Sequence, residues 1–299
     1  MNTLWRAALA ALLAGAGASA QGLEREELPI DTDLTYTLDD NQSQAMFRRD
    51  QIEDRSLGLG AKVSYGQLLT DHSLLSGSLF GEVEQMSEVE QLDRATFGLK
   101  GALRWQPSSA FSAPNVEFNL SWQDDDYGDD ARDSGVFISQ LFVTRRMTDR
   151  ITTTAGLQYR NRDSAGSVWD LEDARLFLNA DYAVGHAAAY ATYSYIEGDS
   201  FSSAQRIFCN GLQAQDTLPL INIQTANEPD EAYNEYHCGE WFAYRLDTHS
   251  HTFVLGANYG FSHTFSADVS VLYADVTATE DSDVTYQRRL IRASLLKRF

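Results

Sequence analysis

Segments in which apolar and polar residues alternate one by one recur from end to end of this 299-residue chain. Alternation with period two marks strands that have two unlike faces. Ala95, Phe97, Leu99, Gly101, Leu103 and Trp105 share one parity, against Arg94, Thr96, Lys100 and Arg104. Val116, Phe118, Leu120 and Trp122 oppose Glu117, Asn119 and Ser121, and Phe265, Ala267, Val269, Val271 and Tyr273 oppose Ser266, Asp268 and Ser270. The pattern predicts about twelve strands: near 29–38, 55–66, 73–85, 92–105, 115–123, 135–145, 150–160, 174–184, 187–196, 251–261, 264–275 and 284–299. Several run to ten or more residues. A tilted strand crosses a bilayer in roughly 9–11 residues, while ordinary globular strands average about five or six. The sixth segment, SGVFISQLFVT, is apolar on both faces, and its parity leaves its orientation open.

The connections sort by length. Short links fall around Asp71, Asp149, Gly185 and His263, with a somewhat longer one at 106–115. Long acidic links fall between them: DDNQSQAMFRRDQIED, DDDYGDDARDSG and a span of about 197–249. A soluble sandwich has no reason to sort its loops in this way. After residue 20, no run approaches the roughly 20 apolar residues of a spanning helix. The predicted fold is therefore all-β: a transmembrane antiparallel up-and-down β-barrel of about 12 strands, with its first strand closing onto its last.

Both ends carry signals. Met1–Arg6, the apolar run AALAALLAGAGA and the small-x-small site Ala18-Ser19-Ala20 read as a cleaved signal peptide over 1–20. Export through the Sec pathway is the expectation, with 21–299 forming the barrel. At the other end, RASLLKRF alternates up to its last residue. With Phe299 terminal and Leu295, Ala293 and Ile291 at alternate positions before it, the chain resembles Gram-negative outer-membrane β-barrel proteins over 21–299. Lys297 departs from that pattern, although a lysine near a membrane interface can snorkel. The resemblance implies an outer-membrane location, short periplasmic turns and long extracellular loops. It also implies recognition of the last strand by the barrel assembly machinery, and outer-membrane lipid and lipopolysaccharide as surroundings. It names no subfamily and carries over no functional residues.

The chain holds 43 acidic against 23 basic residues, a formal charge of −20, which argues against nucleic acid as a partner. Its two cysteines, Cys209 and Cys238, both lie in the 197–249 span. In an exported protein an even count reads as a disulfide, worth about 3–4 kcal/mol for a loop of about 30 residues. The plainer role is a staple for an exposed loop; the sharper is a lid or plug folded into the barrel mouth. DDDYGDD, residues 124–130, has a calcium-loop composition without the spacing, and reads as a solvated acidic loop. Divalent cations bridging such loops to lipopolysaccharide are a further expectation. His249 and His251 share a strand face with the outward residues Phe253 and Leu255, and His237 precedes them; this reads as outer-wall polarity rather than a metal site. His72, His186 and His263 fall at the short turns. Some twelve-stranded barrels are phospholipases with a serine two residues from a histidine on one outer face. In His249-Ser250-His251 the serine points the opposite way, so nucleophile and base do not meet. No enzyme activity and no cofactor are expected.

Parity assigns the lumen. Asp31, Asp33, Lys62, Glu82, Glu84, Arg94, Lys100, Arg104, Glu117, Arg160, Arg175, Asp181, Asp268, Arg288 and Arg292 are predicted to point inward. Acidic first-strand residues then meet basic last-strand residues across the closing seam. One reading is a ladder of cross-strand ion pairs filling a narrow barrel. The other is a pore with a positive wall on the second, fourth and twelfth strands facing a negative one. Eight strands leave an interior just filled by side chains and sixteen leave a channel; twelve lies between. The function expected is passage of small polar or charged solutes, as in a porin. The alternative is a non-conducting surface or scaffolding barrel, with an outer-membrane hydrolase a distant third.

Overall fold

The computed structural model describes residues 29–279 and 284–299, except 207, 210, 211, 214–217 and 238. The segment expected to be a signal peptide lies outside the described residues. So does Cys238, and with it the expected disulfide.

Among the described residues fifteen strands occur in chain order: β1 (Ile30–Asp39), β2 (Asp54–Thr70), β3 (Ser73–Met86), β4 (Arg94–Trp105), β5 (Asn115–Tyr127), β6 (Ser134–Arg146), β7 (Ile151–Ser164), β8 (Leu171–Val184), β9 (Ala187–Arg206), β10 (Phe208–Cys209), β11 (Leu212–Gln213), β12 (Ala226–Pro229), β13 (Glu240–Ser262), β14 (Phe265–Ala278) and β15 (Thr285–Arg298). Twelve of them form the barrel, each antiparallel to its neighbours. β9 pairs directly with β13, and β15 pairs with β1 to close the sheet. Closure satisfies every strand's backbone within the wall, as hydrocarbon requires. Among the described residues no helix is long and apolar enough to cross a membrane.

Each predicted segment is a barrel strand, and parity sets its faces. Leu34, Leu57, Leu59, Leu79, Leu99, Trp122, Leu157, Leu178, Leu255 and Val271 are exposed on the outer surface. The sixth strand is resolved by register. Leu141 pairs with the outward Phe118 and Leu157, so Phe137, Leu141 and Val143 face out while Val136, Ile138, Gln140 and Phe142 face in. Its inward bulk is matched by a missing side chain. Gly156 stands between Phe142 and Phe177 on the flanking strands, and a Cβ there would lie 2.6 Å from the Phe142 Cβ and 2.6 Å from the Phe177 ring. The Phe177 ring thus occupies the space that a side chain at 156 would need.

The expected loop of 197–249 needs correction. β9 runs on to Arg206 and β13 starts at Glu240, so the two strands pair over twenty positions, from Tyr259↔Ala187 to Glu240↔Arg206. β8 pairs with β9 only as far as Gly198, and β14 with β13 only as far as Thr248. Beyond those two residues the hairpin has left the wall. Alternation fails there (SFSSAQR, EWFAYRLD) because both faces of the hairpin pack on protein: Ser202, Ser203 and Ala204, and Ala243 and Tyr244, are consecutive and fully buried.

Candidate functional site

The barrel interior and its covered mouth make up the candidate site. All fifteen predicted lumen residues have inward parity, and neighbouring strands bring most of them into pairs. Lys62 lies 3.1 Å from Asp31, which also accepts from Arg298 at 2.7 Å across the β1–β15 seam. Arg94 reaches Glu84 at 2.9 Å and Glu82 at 3.7 Å. Arg104 binds Glu117 at 2.7 Å, Arg160 binds Asp173 at 2.5 Å, and Arg288 binds Asp39. Asp268 accepts from Tyr190 at 2.9 Å, Asp181 from Asn179 at 2.6 Å, and Asp33 from Thr35 at 3.4 Å. Arg175 donates to Ser194. Among the described residues, Lys100 and Arg292 form no ion pair. The second, fourth and twelfth strands therefore mix paired cations, Lys62, Arg94, Arg104 and Arg288, with the unpaired Lys100 and Arg292, among inward carboxylates. At the short-turn end a cavity of about 520 Å³ opens among Asp31, Asp33, Lys62, Glu82, His263 and Arg298.

The opposite end is crossed by the β9–β13 hairpin. A hairpin that stayed in the wall would touch only the adjoining connections, yet this one meets all five others. Ala204, Tyr244 and Leu246 pack with Met46 and Phe47 of the β1–β2 connection and with Ala278 and Val284 at β14–β15. Trp241, with Ala232 and Tyr233 of the short helix Glu231–Tyr236, packs on Ile52, Val89 and Leu92, the last two from β3–β4. Ala243 packs on Val168 and Trp169 of β7–β8, beside Ala131 of β5–β6. Backbone and polar bonds follow the same path. Ser203 N–H donates to the Ser43 carbonyl (3.0 Å), and Ser200 and Tyr286 share a 2.6 Å bond. At the centre, Arg132 donates two bonds to Asp230 at 2.9 and 3.0 Å, and Asp230 also accepts from Ser203 at 2.5 Å. The Arg132 guanidinium lies 3.7 Å above the Trp169 ring. Both members of the pair are buried; taking a fork-shaped cation out of water is tolerable only with such complete partnering.

Three of the mouth connections share one construction. In SEVEQLD, YGDDARD and SAGSVWD, the final aspartate (Asp93, Asp133, Asp170) accepts a 2.7 Å bond from the backbone N–H of Met86, Tyr127 and Ser164 respectively. The residue before it, Leu92, Arg132 or Trp169, is buried against the hairpin. Sequence reasoning missed Arg132, Trp169 and Tyr233, though the recurring x-Asp ending was the available signal. Much of the acidic stretch 124–130 is strand: Asp124, Asp125 and Asp126 belong to β5. Asp129 caps the turn that follows, accepting from the Ala131 N–H.

Among the described residues no His, Cys, Asp and Glu side chains are grouped for a metal. His237 packs on Tyr233 and Trp241 in the mouth, while His251 lies on the outer wall with its Nδ1 2.8 Å from the Tyr193 hydroxyl. Ser250 has inward parity and His249 and His251 outward, as the register with β9 and β14 shows. At the terminus, Ile291, Ala293 and Leu295 face out and the Phe299 N–H donates to the Ile30 carbonyl at 2.9 Å, adding a last rung to the seam. Lys297, the departure from the terminal pattern, bends back. Its Nζ reaches Thr264 Oγ1 at 3.2 Å and lies 5.5 Å from the Phe299 ring centre.

No protein-family profile and no curated protein matches this sequence. Solved structures do match the fold. An outer-membrane channel from Pseudomonas putida F1 superposes with a TM-score of 0.58 at 10% identity, over 94% of this chain and 100% of that one. Outer membrane phospholipase A from Escherichia coli gives 0.48 at 10% identity, over 93% and 94%. The KdgM porin gives 0.41 at 10% identity, over 89% and 98%. At such identity, the first of these shows a shared fold, a closed β-barrel.

Proposed function

We propose that the protein is an outer-membrane channel for small polar or charged solutes, with its short turns in the periplasm and its covered mouth outside. The observation that carries this reading is the interior. A closed twelve-stranded wall encloses a charged face and a cavity of about 520 Å³ that opens at the short-turn end. The P. putida neighbour is itself described as a channel. Separation of Ser250 from the outward histidines supports a channel over a hydrolase. In this reading the chain is exported by the Sec pathway, the outward leucines meet membrane lipid and lipopolysaccharide, and the strand ending in Phe299 is presented to the assembly machinery. The crossing hairpin favours a second reading, a non-conducting barrel that stabilises the envelope. Arg206 and Glu240 are paired partners, so a short turn joining them in place of 207–239 leaves β9 and β13 intact. Single-channel recording in a planar bilayer then decides. Discrete steps that grow on shortening the hairpin support the channel; silence from both proteins overturns it in favour of the second reading.

A further inference from the structure

The inner wall of β7 and β8 carries cations that the protein does not neutralise. Arg160, Arg162 and Arg175 all face inward, opposite Ile138, Val136 and Ile196 on flanking strands. Asp173 is spent on Arg160. Arg162 donates from Nε to Ser134 Oγ (2.9 Å) and from a terminal nitrogen to the Arg132 carbonyl (2.8 Å). Arg175 donates from two nitrogens to Ser194 Oγ, at 3.0 and 2.7 Å. Among the described residues neither has a carboxylate within ion-pair distance. The nearby Asp125 instead accepts from Thr96 and Gln123. By contrast Lys62, Arg94, Arg104, Arg288 and Arg298 each have one; Lys100 and Arg292, on β4 and β15, have none but stand singly on their strands, whereas Arg162 and Arg175 flank Arg160 on one stretch of wall.

A guanidinium drawn partly out of water without a counter-charge is costly, and each has five N–H donors of which these two use only two. The remaining donors form a fork that suits the two oxygens of a carboxylate, sulfate or phosphate. Apolar neighbours, including the Phe177 ring 5.6 Å from the Arg175 guanidinium, lower the local dielectric and strengthen the attraction. Register places Arg175 beside Gln158, so levels 158, 160 and 162 climb the wall in steps of about 7 Å, two residues at roughly 3.3 Å each.

We propose that Arg162 and Arg175 are oxyanion-binding positions on this wall, with Arg160 as the paired rung between them. The channel's solutes are then acidic, bearing carboxylate, sulfate or phosphate groups; that last clause rests on the channel reading, whereas the binding positions do not. Two measurements separate them. Equilibrium sulfate binding to the detergent-solubilised protein at constant ionic strength should saturate, and should weaken at least tenfold in R162Q/R175Q. R104Q, which alters a paired cation, should bind as the parent does. In planar bilayers millimolar sulfate should block chloride current through the hairpin-shortened protein and through its R104Q form, but not through its R162Q/R175Q form. Absence of saturable binding, or equal binding in parent and double variant, overturns the oxyanion positions even where conductance is normal. Lost binding in the double variant with no conductance from any protein leaves the positions standing and removes the channel.

Discussion

Single residues decide where this barrel's wall ends and its cover begins. Gly198 is the last β9 residue paired to β8, and it adopts φ +137°. A Cβ there would lie 2.2 Å from the Glu172 carbonyl oxygen and 2.7 Å from the Asp173 Cα. Both obstacles are backbone, so no side chain can swing aside. Gly198→Ala should cost about 1–3 kcal/mol through backbone strain and loosen the hairpin beyond it; limited proteolysis within 199–247 should speed up while the barrel stays resistant. The second decisive residue is Asp230, which holds Arg132 and Ser203 in a dry site. Asp230→Ala strands a buried guanidinium and should destabilise the mouth by about 3–5 kcal/mol. Near-ultraviolet circular dichroism, dominated there by Trp169, Tyr233 and Trp241, should melt earlier than the far-ultraviolet barrel signal. Coincident melting would show that mouth and wall unfold as one unit.

Among the elements, the x-Asp connections support the cover, and at two of them the surroundings shift the carboxyl. Burial raises the carboxyl pKa of Asp93 above the ordinary aspartate range, its bond to the Met86 N–H opposes this, and Glu90, Asp54 and Glu84 push it up further. Asp133 is raised for the same reasons, with Asp126, Asp130 and Asp124 as its acidic neighbours. Glu228 in β12 is raised chiefly by burial, with Asp129 and Asp230 adding to it. A carboxyl whose folded pKa exceeds its unfolded one binds more protons when folded, so its contribution to stability is complete below the ordinary value and lost as pH rises through the folded value. Lowering the pH from 7 to about 4.5, near the ordinary carboxylate range, should therefore raise the melting temperature of the mouth signal. An unchanged or falling value would contradict this balance. Strands, by comparison, were legible element by element: period two located all twelve. The hairpin extension was not legible, because Ser202–Ala204 and Ala243–Tyr244 are buried on both faces and alternation has nothing to report.

At the scale of the whole molecule, closure is the organising fact. The β1–β15 seam joins the first described strand to the last, and Phe299 supplies its final backbone rung. The residue is 70% exposed, so removing it deletes little native packing. Deletion of Phe299 should leave the melting temperature of refolded barrel within a few degrees, since one such bond is worth about 1 kcal/mol, yet reduce the folded fraction recovered from the outer membrane. Equal loss in refolding and in cells would place its role in stability instead of assembly.

The sequence by itself determined the number and faces of the strands, because an apolar outer face and a polar inner one impose period two on every residue in the wall. It also set the charged candidates on the parity opposite the exposed apolar residues. Only the tertiary structure decided which of those charges cancel, since that depends on the register of one strand against the next: Arg160 meets Asp173, while Arg162 and Arg175 meet hydroxyl groups. Likewise only the tertiary structure decided that the longest connection covers the mouth. Its support comes from single buried residues, Leu92, Arg132 and Trp169, on connections far apart in the chain, and contacts made one residue at a time leave no period to read.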